Sequence, residues 1–152
     1  MPATAYLATV GKMAMVVLLL RFLTSTEALS FGAIPAVFSL IAIASIIVGN
    51  LLALLQENLK RILAYSSIAH MGYLLIAVVS SHVTGGGISV EAISFYLIAY
   101  VVMSLGAFAI LSTLSSSENE IDQVTDYQGL FWRSPWLATM LIAMLLSLAG
   151  IP

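Results

Sequence analysis

Long apolar runs with few charged residues alternate with short polar connectors along this chain. A helix of that kind is buried in a large core or crosses a membrane. A bilayer core about 30 Å thick needs roughly 20 helical residues to span it. Four runs meet that length, at about 3–23, 33–55, 62–80 and 90–113. A fifth runs from about 136 to 152, and its last residues, Ala149-Gly150-Ile151-Pro152, read as a helix stop inside an apolar stretch. The pattern therefore predicts an all-α fold, a polytopic transmembrane helical bundle with four full spans plus the first half of a discontinuous helix. The connectors carry ordinary turn chemistry: Thr24 to Ser30, Ser80 to Ser89 with Gly85-Gly86-Gly87, and an acidic loop from Ser115 to Pro135. None reads as a domain boundary, so a single transmembrane module over 1–152 is expected. Tyr127 to Trp132 reads either as a short amphipathic turn at the membrane interface, where Trp and Tyr prefer to sit, or as an irregular loop.

Composition names the solvent. The chain is 61% apolar and 8% charged, with a mean hydropathy of +1.10, against roughly 45–50% apolar in soluble domains. It is expected to be a multi-pass membrane protein in contact with the lipid bilayer. Its charges fall at or near run ends and in connectors, apart from Lys12. A net charge of -2 supplies no basic field for nucleic acid and no polybasic lipid-binding patch, so no nucleic-acid partner is expected. Without cysteine there are no disulfides, no thiolate-held zinc and no cysteine-ligated iron–sulfur cluster. The chain also lacks a G-x-G-x-x-G, a P-loop and a metal-spaced His/Cys set, so no cofactor is expected in it. The first residues do not follow a signal-peptide pattern, because Lys12 sits within the apolar run. Lys60, Arg61 and Arg133 share one side of the membrane and Arg21 lies opposite, so the positive-inside rule puts Lys60 and Arg61 in the cytoplasm. Met1 is then cytoplasmic too, with Glu27, His82 and the glycine triplet on the far side.

Lys12 lies about ten residues after Pro2 and nine before Arg21, roughly 13 to 15 Å of helix from either end. Holding a lysine at a helix centre costs on the order of 2.5–3.5 kcal/mol, and such residues usually face a bundle interior or a water-filled cavity. A lysine whose charge depends on a movable partner is a proton switch. The structural alternative is a lysine that only pairs with an acidic residue of another helix. Glu27, Glu57 and Glu91 all fall near span ends, so a central carboxylate has to come from elsewhere.

His70 lies about 12 Å into the span that starts near Ile62, close to the midplane. Ser66 and Tyr73 share its helical face, with Ser67 at the edge, a set able to hold a short hydrogen-bonded chain. Histidine accepts a proton on one ring nitrogen and releases it from the other near neutral pH. The alternative is a neutral histidine satisfied by a serine or a backbone carbonyl; two protonatable groups at similar depth favour a path. Lys60 and Arg61 read as topology anchors after Glu57, or as a cytoplasmic proton entry. Tyr96, Tyr100 and Ser104 recur at i, i+4 and i+8, a stripe that more often packs against a helix than serves a ligand. His82, in the glycine-rich connector, reads as a surface residue.

The run Gly49-Asn50-Leu51-Leu52-Ala53-Leu54, followed by Asn58-Leu59-Lys60-Arg61-Ile62-Leu63-Ala64-Tyr65-Ser66-Ser67-Ile68-Ala69-His70-Met71-Gly72-Tyr73, resembles the antiporter-like membrane subunits of respiratory complex I. Tyr6 to Lys12, Tyr127 to Trp132 and Leu146 to Pro152 resemble the same family, in order. The resemblance implies a central portion of a longer subunit, from its eighth transmembrane helix to the break in a discontinuous twelfth. It implies a place in the proton path for Lys12, which matches the family's lysine on the eighth helix, and for His70, at a polar position on the tenth. The family's glutamate on the fifth helix, its lysine on the seventh and its lysine beyond the break have no counterpart in this sequence. By the same resemblance the chain belongs to the inner (cytoplasmic) membrane, its partners are other membrane subunits of the complex, and NAD, FMN, iron–sulfur clusters and quinone belong to the wider assembly. Driving one proton against 100 mV takes about 2.3 kcal/mol, within reach of charge shifts between neighbouring groups. Two other readings stand beside this one: a related cation/proton antiporter without redox partners, and a scaffold in which Lys12 only ties helices together.

Overall fold

The computed structural model describes residues 7–83, 87–115 and 123–150. A π-helical turn, Leu7–Gly11, leads into α1 (Lys12–Ser25), and a single 3-10 turn, Ala28–Ser30, precedes α2 (Ala33–Leu54). Then follow α3 (Leu59–Val83), α4 (Gly87–Leu114), a 3-10 turn at Val124–Tyr127, the one-turn α5 (Leu130–Arg133) and α6 (Pro135–Leu148). No β-strand forms among the described residues. Three helices, α2, α3 and α4, are long and apolar enough to cross a membrane, and α6 is a shorter apolar helix. The first expected span is described from Leu7 to Ser25 as a π turn joined to α1; its earliest residues lie outside the described range.

α1 and α3 outrun the expected spans for a local reason. Thr24 donates to the carbonyls of Leu20 and Arg21 at 2.9 and 3.0 Å, Ser25 to Phe22 at 3.0 Å and Ser81 to Val78 at 2.6 Å. Hydroxyls satisfied within their own helix turn let it continue through residues that look like a connector in sequence. His82 is accordingly corrected from the glycine-rich connector to the last turn of α3. At the other end of α3, the Asn58 side chain accepts from the backbone N–H groups of Lys60 and Arg61 at 3.0 and 3.3 Å, capping donors that a helix start leaves orphaned. Asn58→Ala is expected to destabilise this helix start by about 1 kcal/mol, measured as faster amide exchange confined to the first turn of α3.

Tyr127 closes the 3-10 turn and Leu130 to Trp132 lie in α5, with Gln128 and Gly129 between them; the Gly129 φ of 74° lies in the left-handed region that glycine enters without a Cβ penalty. The Gln123 backbone N–H donates to the Asp126 carboxylate at 3.1 Å and holds the first of them. Pro135 occupies the first turn of α6, where its missing N–H costs nothing. The helix closes at Leu148, with Gly150 at φ 86°, a left-handed helix end of the kind glycine favours.

Packing divides the chain into two units, Met13–Leu97 and Met1–Lys12 with Ile98–Pro152. In the larger, α2 and α3 approach closely enough to need glycine. A Cβ added at Gly72 would sit 2.7 Å from both the Ala42 carbonyl oxygen and Ile46 Cγ1, and one at Gly49 would sit 2.8 Å from the Ala69 backbone nitrogen. Lipid supplies no hydrophobic drive between apolar helices, so such backbone contact is what holds them together. Much of the remaining surface of α2 is exposed and apolar, as at Leu40, Ile43, Ile47 and Leu51. In the smaller unit, a Cβ on Gly106 would meet only the flexible Met144 side chain, Cε at 2.7 Å. Gly106→Ala is thus expected to be accommodated by a Met144 rotamer change, with subunit abundance and thermal midpoint within error of wild type.

Candidate functional site

His70 sits near the middle of α3, and its ring is buried. It reaches across to α4: Nδ1 and the Tyr96 hydroxyl are hydrogen-bonded at 2.5 Å. The Tyr73 ring stands edge-on to the imidazole, centroids 6.0 Å apart, with the Tyr73 side chain partly exposed. Ser66 and Ser67 occupy the face expected from their spacing, but their hydroxyls donate to carbonyls of α3 itself, Leu63 at 3.0 Å and Ala64 at 2.6 Å. Of the residues expected around His70, the structure brings Tyr73 against the ring and adds Tyr96, which sequence reasoning had placed in a packing stripe. The signal for Tyr96 was present as that stripe of hydroxyls on α4, in which Tyr100 and Ser104 are also buried and Ser104 donates to the Tyr100 carbonyl at 2.6 Å. Helical periodicity pairs residues along one helix; it does not say which residue of another helix arrives opposite.

A buried imidazole joined to a phenol between two apolar helices is costly unless its polar atoms are satisfied, and each satisfied atom fixes the ring more firmly. Such a pair can pass a proton, because each group both donates and accepts.

Lys12 opens α1 directly after the π turn and is half-buried. It belongs to the smaller unit, whereas His70, Tyr73 and Tyr96 belong to the larger. A π turn widens the helix by one residue and loosens its regular hydrogen bonding, an irregularity frequent at functional sites. Thr9, within that turn, is almost fully buried, and Gly11 has no atom within 4 Å of where a Cβ would stand. Lys60 and Arg61 lie in the first turn of α3, the positive end of its dipole, where cations are mildly unfavourable. Helix stability therefore does not account for their placement. Among the described residues no group of three His, Asp or Glu side chains comes together to hold a metal.

The whole chain, residues 1–152, matches the model of the transmembrane NADH:quinone oxidoreductase/Mrp antiporter family. The chain belongs to that family. It is 55% identical over 151 residues to NADH-quinone oxidoreductase subunit N of Methylococcus capsulatus, a match covering 99% of this chain and 31% of that protein. Subunit N of Ectopseudomonas mendocina is 51% identical, over 99% of this chain and 30% of the relative. That of Acinetobacter baumannii is 46% identical, again over 99% and 30%. The chain therefore spans about 30% of the length of the curated relatives it matches. The family resemblance of the Lys12 and His70 segments extends along the full chain, and the helices long enough to span a membrane agree with it.

Proposed function

We propose that this chain is the central part of a proton-translocating membrane subunit of NADH-quinone oxidoreductase. Protons pass along a mid-membrane line of protonatable residues that includes Lys12 and His70, and quinone reduction elsewhere in the complex drives them by shifting charge. The similarity to subunit N over nearly the entire chain is the observation that supports this reading most strongly. Lys12 takes or releases a proton as its neighbours change state, and His70 relays one. Redox catalysis lies outside this chain: NAD, FMN, iron–sulfur clusters and quinone are held by other subunits of the assembly. The subunit crosses the inner membrane with Lys60 and Arg61 on the cytoplasmic side, packed against other membrane subunits of the complex.

Replacing Lys12 with Met in the complete subunit is the direct test. Loss of NADH-driven proton pumping in an assembled complex supports the assignment; unaltered pumping with normal assembly overturns it.

A second reading is favoured by the breadth of the family, whose description also covers Mrp antiporters. In it, Lys12 serves cation/proton exchange without redox partners. Purification of the complete protein separates the two. Co-purifying flavin and iron–sulfur subunits support the first, and Na⁺-dependent proton flux in their absence supports the second.

A further inference from the structure

The hydrogen bond between His70 and Tyr96 carries a direction. We propose that Tyr96 is a positioning residue that holds neutral His70 in its Nε2–H form and makes its own hydroxyl a door through which a proton reaches Nδ1. The inference rests on the reading of His70 as part of a proton path.

The geometry leaves two arrangements. Either the phenol donates to Nδ1, or Nδ1–H donates to the phenol oxygen, and the heavy atoms at 2.5 Å do not distinguish them. Chemistry does. A phenol is a far better acid than a neutral imidazole N–H, and an imidazole nitrogen is a far better base than a phenol oxygen, so the phenol donates and Nδ1 accepts. With Nδ1 occupied as an acceptor, the ring proton of neutral His70 resides on Nε2. The bond ties together residues of two different helices, α3 and α4, around a buried ring, so it constrains imidazole orientation rather than capping a local turn.

The transfer then follows with its protons balanced. An incoming proton from a hydrogen-bonded water is accepted by a lone pair of the Tyr96 oxygen while the original hydroxyl proton moves to Nδ1. The phenol is neutral before and after, and His70 becomes an imidazolium. Loss of the Nε2 proton to the next acceptor returns neutral histidine, now with its proton on Nδ1 and Tyr96 turned to accept. A second proton cannot enter from Tyr96 until the imidazole turns over or the protons are restored. One proton moves per reset, which suits a step that must wait for a remote event.

Tyr96→Phe deletes the one oxygen that makes the bond and keeps the ring that packs. The readout is the nitrogen-15 spectrum of His70 in membranes holding the complete complex, labelled with [15N]histidine and assigned by the signal lost in His70→Gln. Wild type is expected to show an unprotonated, hydrogen-bonded Nδ1 and a protonated Nε2. In Tyr96→Phe the ratio of the two neutral forms moves about fivefold toward Nδ1–H, the scale of one lost hydrogen bond. Protons pumped per NADH fall at least severalfold while NADH oxidation in uncoupled membranes is retained. A wild-type spectrum with Nδ1 protonated overturns the proposal, and it does so without any variant having to assemble. An unchanged ratio in Tyr96→Phe overturns it as well, as does a changed ratio with full pumping. Failure of the wider proton-path reading is recognised separately, by full pumping in Lys12→Met.

Discussion

Lys12→Met in the complete subunit is expected to abolish proton pumping while leaving the complex assembled and able to oxidise NADH in uncoupled membranes. Methionine matches the lysine stem in length and flexibility but carries no charge, so the substitution removes a burial cost of order 2.5–3.5 kcal/mol while keeping most of the packing. Assembly should therefore be at least as good as wild type. The side chain is half-buried at the junction of a π turn and α1, a position with room for adjustment. Lys12→Arg makes the test sharper. Arginine keeps a permanent positive charge and can hold an ion pair, but it does not deprotonate in proteins. A purely structural lysine would be rescued by arginine, whereas a lysine that must release its proton would not. The expected pair of results is no pumping in either variant, read as acidification of inverted vesicles after NADH addition. Full pumping in Lys12→Arg returns Lys12 to a scaffold role.

Gly72→Leu is expected to prevent the subunit from accumulating in the membrane, the second large effect. Even the first carbon of the new side chain would lie 2.7 Å from the Ala42 carbonyl oxygen, and that oxygen belongs to helix backbone, which cannot step aside as a side chain does. The helices α2 and α3 must separate. In lipid, separation forfeits close packing without any compensating hydrophobic effect. Overpacking of this kind costs about 1–3 kcal/mol for small additions, and more for a four-carbon group against backbone. Gly72→Ala should show the lower end of that range as reduced abundance and a lower thermal midpoint. Gly32→Ala, where nothing lies within 4 Å of the added carbon, is the matched control and should behave as wild type. Equal abundance of Gly72→Leu and Gly32→Ala would remove the close helix contact from the account of how this fold holds together.

Much of the architecture was legible before any coordinate. The all-α membrane character, a helix over about 33–55, observed as Ala33–Leu54, and the stop at Gly150 follow from composition, run length and two local residue preferences. The ends of α1 and α3 were less legible. Threonine and serine look like connector residues in sequence, yet their hydroxyls bond back into the helix and prolong it, which moved His82 from connector to helix. The π turn before Lys12 left no mark in the pattern, because apolar residues populate π and α turns alike.

The candidate site divides in the same way. Charged or titratable residues inside apolar runs are conspicuous, since each is costly in lipid, and this drew attention to Lys12 and His70 from the sequence alone. Their chemical type was thus determined by the sequence, together with the membrane as their solvent. Tertiary structure decided that Tyr96 reaches His70. Ser66 and Ser67 turned to carbonyls of their own helix, and Tyr96, 26 positions away in the chain, supplied the hydrogen bond. The physical reason is that helical spacing sets which residues share a face, while the close approach of whole helices sets which faces meet. That second choice is made collectively by packing, and no single stretch of sequence contains it.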